Sequence, residues 1–235
     1  SFIDSTNNYA MQLIDANKAL HGMTITALSQ TAGKGQRGNQ WADTPGDSLL
    51  MSIIINPIQE IQEQFSFNAS VAVAIANVLQ NLSTGWNVQI KWPNDIIVND
   101  KKAGGILIEN TLRGSKWTHC VIGLGLNVNQ EAMPADLPHA TSLTMESGKK
   151  YQLSQLRDSI HAAVMDAANF PLKPESAMNS YNQLLFKREQ LQRFSGPAGY
   201  REVRIKGVHS DGQLEIANPD GTTDFYFHGQ YEWCW

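Results

Sequence analysis

Three glycines alternate with two cations in Gly33-Lys34-Gly35-Gln36-Arg37-Gly38, and Trp41 follows shortly after. Glycine lets backbone N–H groups approach a ligand closely. Lys34 and Arg37 add fixed positive charge beside those donors. The combination suits an anion, a phosphate or a carboxylate; the same glycines also serve a plain surface loop. A second group is Lys91-Trp92-Pro93-Asn94-Asp95. Its carboxylate could hold Mg²⁺ between phosphate oxygens, or the stretch could be only a Pro-Asn-Asp turn. A third is Lys101-Lys102-Ala103-Gly104-Gly105-Ile106-Leu107. A lysine at the mouth of such a strand can neutralise charge that grows in a transition state, or it can be solvated. Ser5-Thr6-Asn7 places hydroxyls at a helix start, where they hold a polar ligand head or cap the helix.

Two nucleotide-binding patterns are absent. The spacing Gly, four residues, Gly-Lys-Ser/Thr of a Walker A loop does not occur. Gly123-Leu124-Gly125-Leu126-Asn127-Val128 lacks the third glycine of a dinucleotide fingerprint and runs into a loop rather than a helix.

Composition bounds the class of protein. The 235 residues are 42% hydrophobic and 17% charged, which is globular rather than disordered. The net charge of −4 gives no basic surplus for nucleic acid. No apolar run reaches the roughly 18 residues of a membrane span, and Ser1 to Thr6 has no signal-peptide pattern, so the cytoplasm is expected. Cys120 and Cys234 form neither a disulfide framework nor a metal knuckle.

Periodicity assigns the elements that must position these groups. A helix is expected from Thr6 to Ala19, strands at Met23 to Leu28 and Ser48 to Asn56, and a long glycine-rich loop between those strands. Val71, Ile75, Val78, Leu79 and Leu82 mark one face of a helix. Val88 to Lys91 is a short strand, Ile96 to Asn110 a hairpin through Asn99-Asp100, and Lys116 to Leu126 a further strand. Helices follow at Leu153 to Ala168 and Pro174 to Leu185. After Lys187, three short strands joined by Asp211-Gly212 and Asp220-Gly221 read as a small β barrel. The expectation is an α+β chain with a largely antiparallel sheet, in two domains, 1–187 and 188–235.

Taken together and in order, these segments resemble the biotin–protein ligases, also called biotin–[acetyl-CoA carboxylase] ligases. Asp4 to Asn7 looks like the family's first biotin-site segment, and Gln30 with Gly33 to Gly38 and Trp41 looks like its glycine-arginine loop. Lys91 to Asp95 matches its Lys-Trp-Pro-Asn-Asp motif as it stands. Lys102 to Leu107 and Gly123 to Val128 resemble its lysine-to-Gly-Ile-Leu and Gly-Ile-Gly-Ile-Asn-Val strands. The resemblance implies a class II synthetase-like catalytic domain with an SH3-like C-terminal barrel. It implies a two-step reaction: biotin and Mg-ATP give biotinyl-5′-AMP and pyrophosphate, and a lysine of a biotin carrier protein domain then takes the biotin and releases AMP.

By the same resemblance Lys102, Arg37 and Lys34 are the catalytic candidates, with Lys102 bridging biotin carboxylate and α-phosphate. Biotin would meet Ser5, Thr6, Asn7, Gln30, Gly33, Lys34, Lys102 and Gly105; ATP and the adenylate would meet Gly35, Gln36, Arg37, Trp41, Asn94 and Asn127; Asp95 would face Mg²⁺. Trp41 would stack on adenine. Two residues depart from the family loop, which usually carries arginine where this chain has Lys34 and often where it has Gln36. Lysine loses the bidentate fork and glutamine loses the charge, so Arg37 is expected to take over phosphate neutralisation. A form without an N-terminal DNA-binding domain is expected, as is a possible homodimer. A lipoate–protein ligase and a non-catalytic biotin or nucleotide sensor are the alternatives.

Overall fold

The structure is a computed structural model that describes residues 1–197 and 199–235. In chain order it contains β1 (Phe2–Ile3), α1 (Thr6–Asp15), β2 (Thr24–Ala27), β3 (Ser29–Gln30), β4 (Ser48–Ile55), α2 (Gln64–Gln80), β5 (Val88–Lys91), β6 (Asp95–Val98), β7 (Lys101–Arg113) and β8 (Lys116–Asn127). Then come α3 (Leu143–Ser147), α4 (Leu153–Asn169), α5 (Pro174–Gln183), β9 (Leu191–Gly196), β10 (Gly199–Val208), β11 (Leu214–Ala217), β12 (Thr223–Tyr226) and β13 (Glu232–Cys234).

The central sheet has the order β2-β4-β8-β7-β6-β5, and every pairing in it is antiparallel. Helices cover both faces, which is why β4 is buried along its whole length. Met51, Ile53 and Ile55 point to the large core shared with α2, α4 and α5. Ile54 points the other way, into a small cluster with Ala10 and Ile14 of α1 and Val121 of β8. Ser52 shares that second face because side chains alternate along a strand. The face under α1 is where the polar groups gather.

The expected α+β, antiparallel architecture is present, with three differences. α1 stops at Asp15, because Asn17 turns left-handed at φ 53°. The segment from Ser29 to Trp41 is not wholly irregular: β3 pairs with β1 in parallel, Lys34 bridges Gln40, and Gln36–Gly38 is a 3₁₀ turn. The C-terminal region is a five-stranded sheet, β12-β11-β10-β9-β13, so β9 and β13 add to the three strands expected there.

That C-terminal sheet is fastened to the Lys91–Asp95 segment. The Trp92 indole donates to the Gly212 carbonyl at 2.9 Å and stands edge-on to His228. From α5, the Tyr181 hydroxyl donates to the Pro93 carbonyl at 3.0 Å; complete burial pushes that phenol far above its usual pKa.

Candidate active site

The local register explains how Lys102 reaches Asp95. β6 and β7 pair Ile96 with Gly104 and Ile97 with Lys102, so Ala103 is an extra residue in the ladder. Strand side chains alternate, and an inserted residue shifts their parity. The bulge thus brings Lys102 to the same side as Gly105 and Asp95, and Lys102 Nζ lies 2.7 Å from Asp95 Oδ1. The Lys102 backbone is fixed from the other direction, donating to His139 O and accepting from Thr141 N.

The floor beside it is bare at Gly105, Gly123 and Gly125. Gly105 faces Gly125, and Leu107 faces Gly123, across β7 and β8. A Cβ on Gly125 would overlap the Trp41 indole, and one on Gly123 would overlap the Asn7 amide. Trp41 therefore lies flat on the glycine floor, with its indole N–H buried and unpartnered. Lys102 sits 6.0 Å above its ring.

At one end of the floor is a polar box. Gln30 Oε1 accepts from Thr6 N and Thr6 Oγ1, Ser52 Oγ lies within hydrogen-bond reach of Thr6 Oγ1 and Asn7 Oδ1, and Asn7 Nδ2 donates to Glu109. Ser5 is the N-cap residue by backbone shape, yet its hydroxyl makes no capping bond and lines the cavity instead. The plain capping role considered for Ser5 is thus not the one its side chain plays.

Four cations surround the cavity, each held differently. Lys34 pairs with Glu109 at 3.3 Å. Lys91 is 3.9 Å from Asp95 and lies between the Trp233 and Trp235 rings, 5.1 Å from each centroid. Burial lowers the Lys91 pKa, and the Asp95 charge opposes that shift. Lys102 holds Asp95. Arg37 makes no ion pair and no side-chain hydrogen bond among the described residues.

The cavity occupies about 640 Å³, within the range of small-molecule sites. Of the residues singled out in the sequence, Ser5, Thr6, Asn7, Gln30, Lys34, Gly35, Gln36, Arg37, Trp41, Asn94, Asp95, Lys102 and Gly105 all line it. Gly33 and Asn127 do not. Gly33 is buried behind Trp41 and Gln30. The Asn127 amide is turned away and donates to Thr141 O at 3.1 Å. Asn94 lines the cavity while donating to Ile106 O, which ties the Lys91–Asp95 segment to β7.

Other lining residues carried no signal in the sequence. His228, Gly229, Tyr231, Glu232, Trp233 and Trp235 come from the C-terminal region. The density of aromatics there was the only available hint. Ser52 and Glu109, which hold the polar box together, sit in apolar strands and stand out only as interruptions.

Comparison with known proteins shows the family and the fold. Residues 1–127 match the model of the Biotin/lipoate A/B protein ligase family. Among curated relatives, the "Bifunctional ligase/repressor BirA" of Bacillus spizizenii is 36% identical over 151 residues, 63% of this chain and 46% of that protein. The "Biotin--protein ligase" of Homo sapiens is 28% identical over 212 residues, 85% of this chain and 29% of that protein. The chain thus spans about half the length of the bacterial relatives it matches. The structure of "Biotin protein ligase from Aquifex aeolicus in complex with biotin and ATP" superposes with a TM-score of 0.80 at 20% identity, over 100% of this chain and 96% of that one. The likeness to that structure concerns the fold. With more than half of its length matched, the chain belongs to the biotin/lipoate A/B protein ligase family.

Proposed function

We propose that the chain activates biotin with ATP as biotinyl-5′-AMP and transfers it to a lysine of a biotin carrier protein domain. The observation that carries this reading is the Lys102–Asp95 pair at 2.7 Å, set beside a glycine floor, with the polar box at one end and Arg37 without an ion pair among the described residues. Relatives named biotin–protein ligase and biotin–[acetyl-CoA-carboxylase] ligase support biotin over lipoate.

The chemistry follows from charge. Two anions must meet in the first step, so cations have to gather and orient them. Ser5, Thr6 and Gln30 bind the ureido head, and the biotin carboxylate reaches Lys102. Lys102 orients the biotin carboxylate for attack on the α-phosphorus and stabilises the charge that grows on the phosphoryl oxygens. A new carboxylate–phosphorus bond forms as the bond to the pyrophosphate oxygen breaks. Arg37 and the loop N–H groups hold the phosphates. In the second step the carrier amine attacks the acyl carbon, loses a proton, and AMP leaves. Trp41 keeps water from the mixed anhydride.

Asp95 fits Mg²⁺ only as a minor ligand. Among the described residues no three acidic, histidine or cysteine side chains converge, which suits an ion held mainly by phosphate oxygens and water. Bound there, it would neutralise the phosphates. Among the described residues no helix is long and apolar enough to cross a membrane.

The test is transfer of labelled biotin to a purified carrier domain in the presence of Mg-ATP. The reading expects label on one carrier lysine. Tight biotin binding with no transfer would favour the sensor alternative.

A further inference from the structure

We propose that Gly229 is a positioning residue for the glycine loop. The turn at His228–Tyr231, bare of a side chain at Gly229, is the seat on which Arg37 docks, so the C-terminal region holds the loop over the cavity.

A Cβ built on Gly229 would lie 2.7 Å from Arg37 Nε, and nearer still to Cζ and Nη1. The guanidinium therefore rests in the volume that any other residue at 229 would fill. Arg37 has φ 56° and ψ 36°, a left-handed conformation that residues with a side chain seldom adopt. Backbone bonds within the loop close its turn, Asn39 N donating to Gln36 O and Gly35 N to Asn39 O. Among the described residues no ion pair or side-chain hydrogen bond fixes the Arg37 side chain, and its packing on Gly229 sets where the guanidinium lies. The turn is itself anchored: Gln230 N donates to Phe227 O, and the His228 ring meets Trp92 at 5.6 Å. His228 senses the Arg37 charge, which adds to burial in lowering its pKa. Loop, Lys91–Asp95 segment and C-terminal turn thus meet at one point. Packing against an uncharged turn leaves the guanidinium charge available for phosphate. The seat sets the loop's position without consuming its cation.

The kinetic consequence rests on the adenylation reading above; the seat does not. Gly229 has φ +84°, so substitution there strains the backbone as well as filling the seat. Gly221 supplies the matched control. It lies in the turn between β11 and β12 of the same region at φ +87°, with nothing within 4 Å of a built Cβ.

The experiment compares trypsin cleavage after Lys34 in wild type, Gly229→Ala, Gly221→Ala, Arg37→Ala and the Gly229→Ala/Arg37→Ala double variant. Cleavage of a folded protein follows its locally open population, so Gly229→Ala and Arg37→Ala should each speed it about tenfold. Gly221→Ala should leave it unchanged, and Gly229→Ala should add nothing once Arg37 is alanine. Equal rates for Gly229→Ala and Gly221→Ala would overturn the proposal. So would a Gly229→Ala effect that persists without Arg37. If Gly229→Ala does not fold, Arg37→Ala alone decides, and an unchanged rate counts against the seat. In ATP–pyrophosphate exchange, Gly229→Ala should raise KM for ATP and leave KM for biotin near wild type. Exchange absent from the wild type would defeat the adenylation reading, with the cleavage rates still judging the seat.

Discussion

Replacing Gly123 by alanine tests whether the floor and the polar box are locked together. In a strand this change normally gains about 0.5–1 kcal/mol, because glycine pays more backbone entropy on folding. Here the new Cβ would lie 2.9 Å from Asn7 Cγ and 3.0 Å from Nδ2, with Oδ1 closer still. Asn7 is 3% exposed and sits in the first turn of α1, so it can move only towards the cavity it lines, away from its partners. Moving it breaks a 2.7 Å bond to the Glu109 carboxylate and a 2.6 Å contact with Ser52. A hydrogen bond to a charged group contributes about 1.5–3 kcal/mol and a neutral one about 1. The net expectation is a loss of about 2–3 kcal/mol once the backbone gain is subtracted. Urea unfolding at pH 7 measures it, with Gly85→Ala as control. A Cβ at Gly85 meets only Ser83 Oγ, at 3.8 Å, and φ there is not positive. A Gly123→Ala protein as stable as wild type would refute the packing described for Asn7, since even the sign would be wrong.

Three further outcomes are expected. Lys102→Met should lower the rate of adenylate formation about 100-fold or more, as loss of a transition-state charge partner does, while Asp95 keeps Lys91 nearby and stability holds; an undiminished rate in pre-steady-state quench would contradict the role given to Lys102. Burial, with Arg37 and Lys91, lowers the His228 pKa below 6.5, so the unfolded chain takes up its proton first. Stability should be full above that value and fall as pH drops through it, and His228→Gln should flatten part of the slope in melts between pH 7.5 and 5, as set by the ordinary range of histidine; His119, lowered by burial and Arg113, contributes in the same direction. Trp235→Ala removes one wall around Lys91 and should cost about 1–2 kcal/mol in equilibrium unfolding, with unchanged stability showing that the Trp233 face alone is enough.

Much of the site was legible because its parts are local. The glycine loop, Lys91 to Asp95, Lys102 to Gly105 and the start of α1 are each contiguous runs, and the sheet merely brings them together. What escaped depends on geometry across strands. The bulge at Ala103 decides where the Lys102 side chain goes, and nothing in Lys101-Lys102-Ala103 announces an extra residue. Asn127 is a case of the reverse kind: its motif suggests a ligand contact, but its amide donates to the Thr141 carbonyl and does not line the cavity. The short strands and turns of the C-terminal region read as a small barrel, but on their own they show no partner in the rest of the chain. Only the fold reveals that Trp233 and Trp235 flank Lys91 and that Gly229 faces Arg37. Gln36, where the loop lost a charge, lines the cavity beside Arg37. That placement is consistent with Arg37 acting as the phosphate cation.

The central claim is that this cavity activates biotin with ATP. Exchange of labelled pyrophosphate into ATP, measured with biotin and separately with lipoate, tests it most directly. The account predicts exchange that depends on biotin, is weak or absent with lipoate, and falls sharply in Lys102→Met. Exchange supported by lipoate alone, or none with either acid, would contradict it.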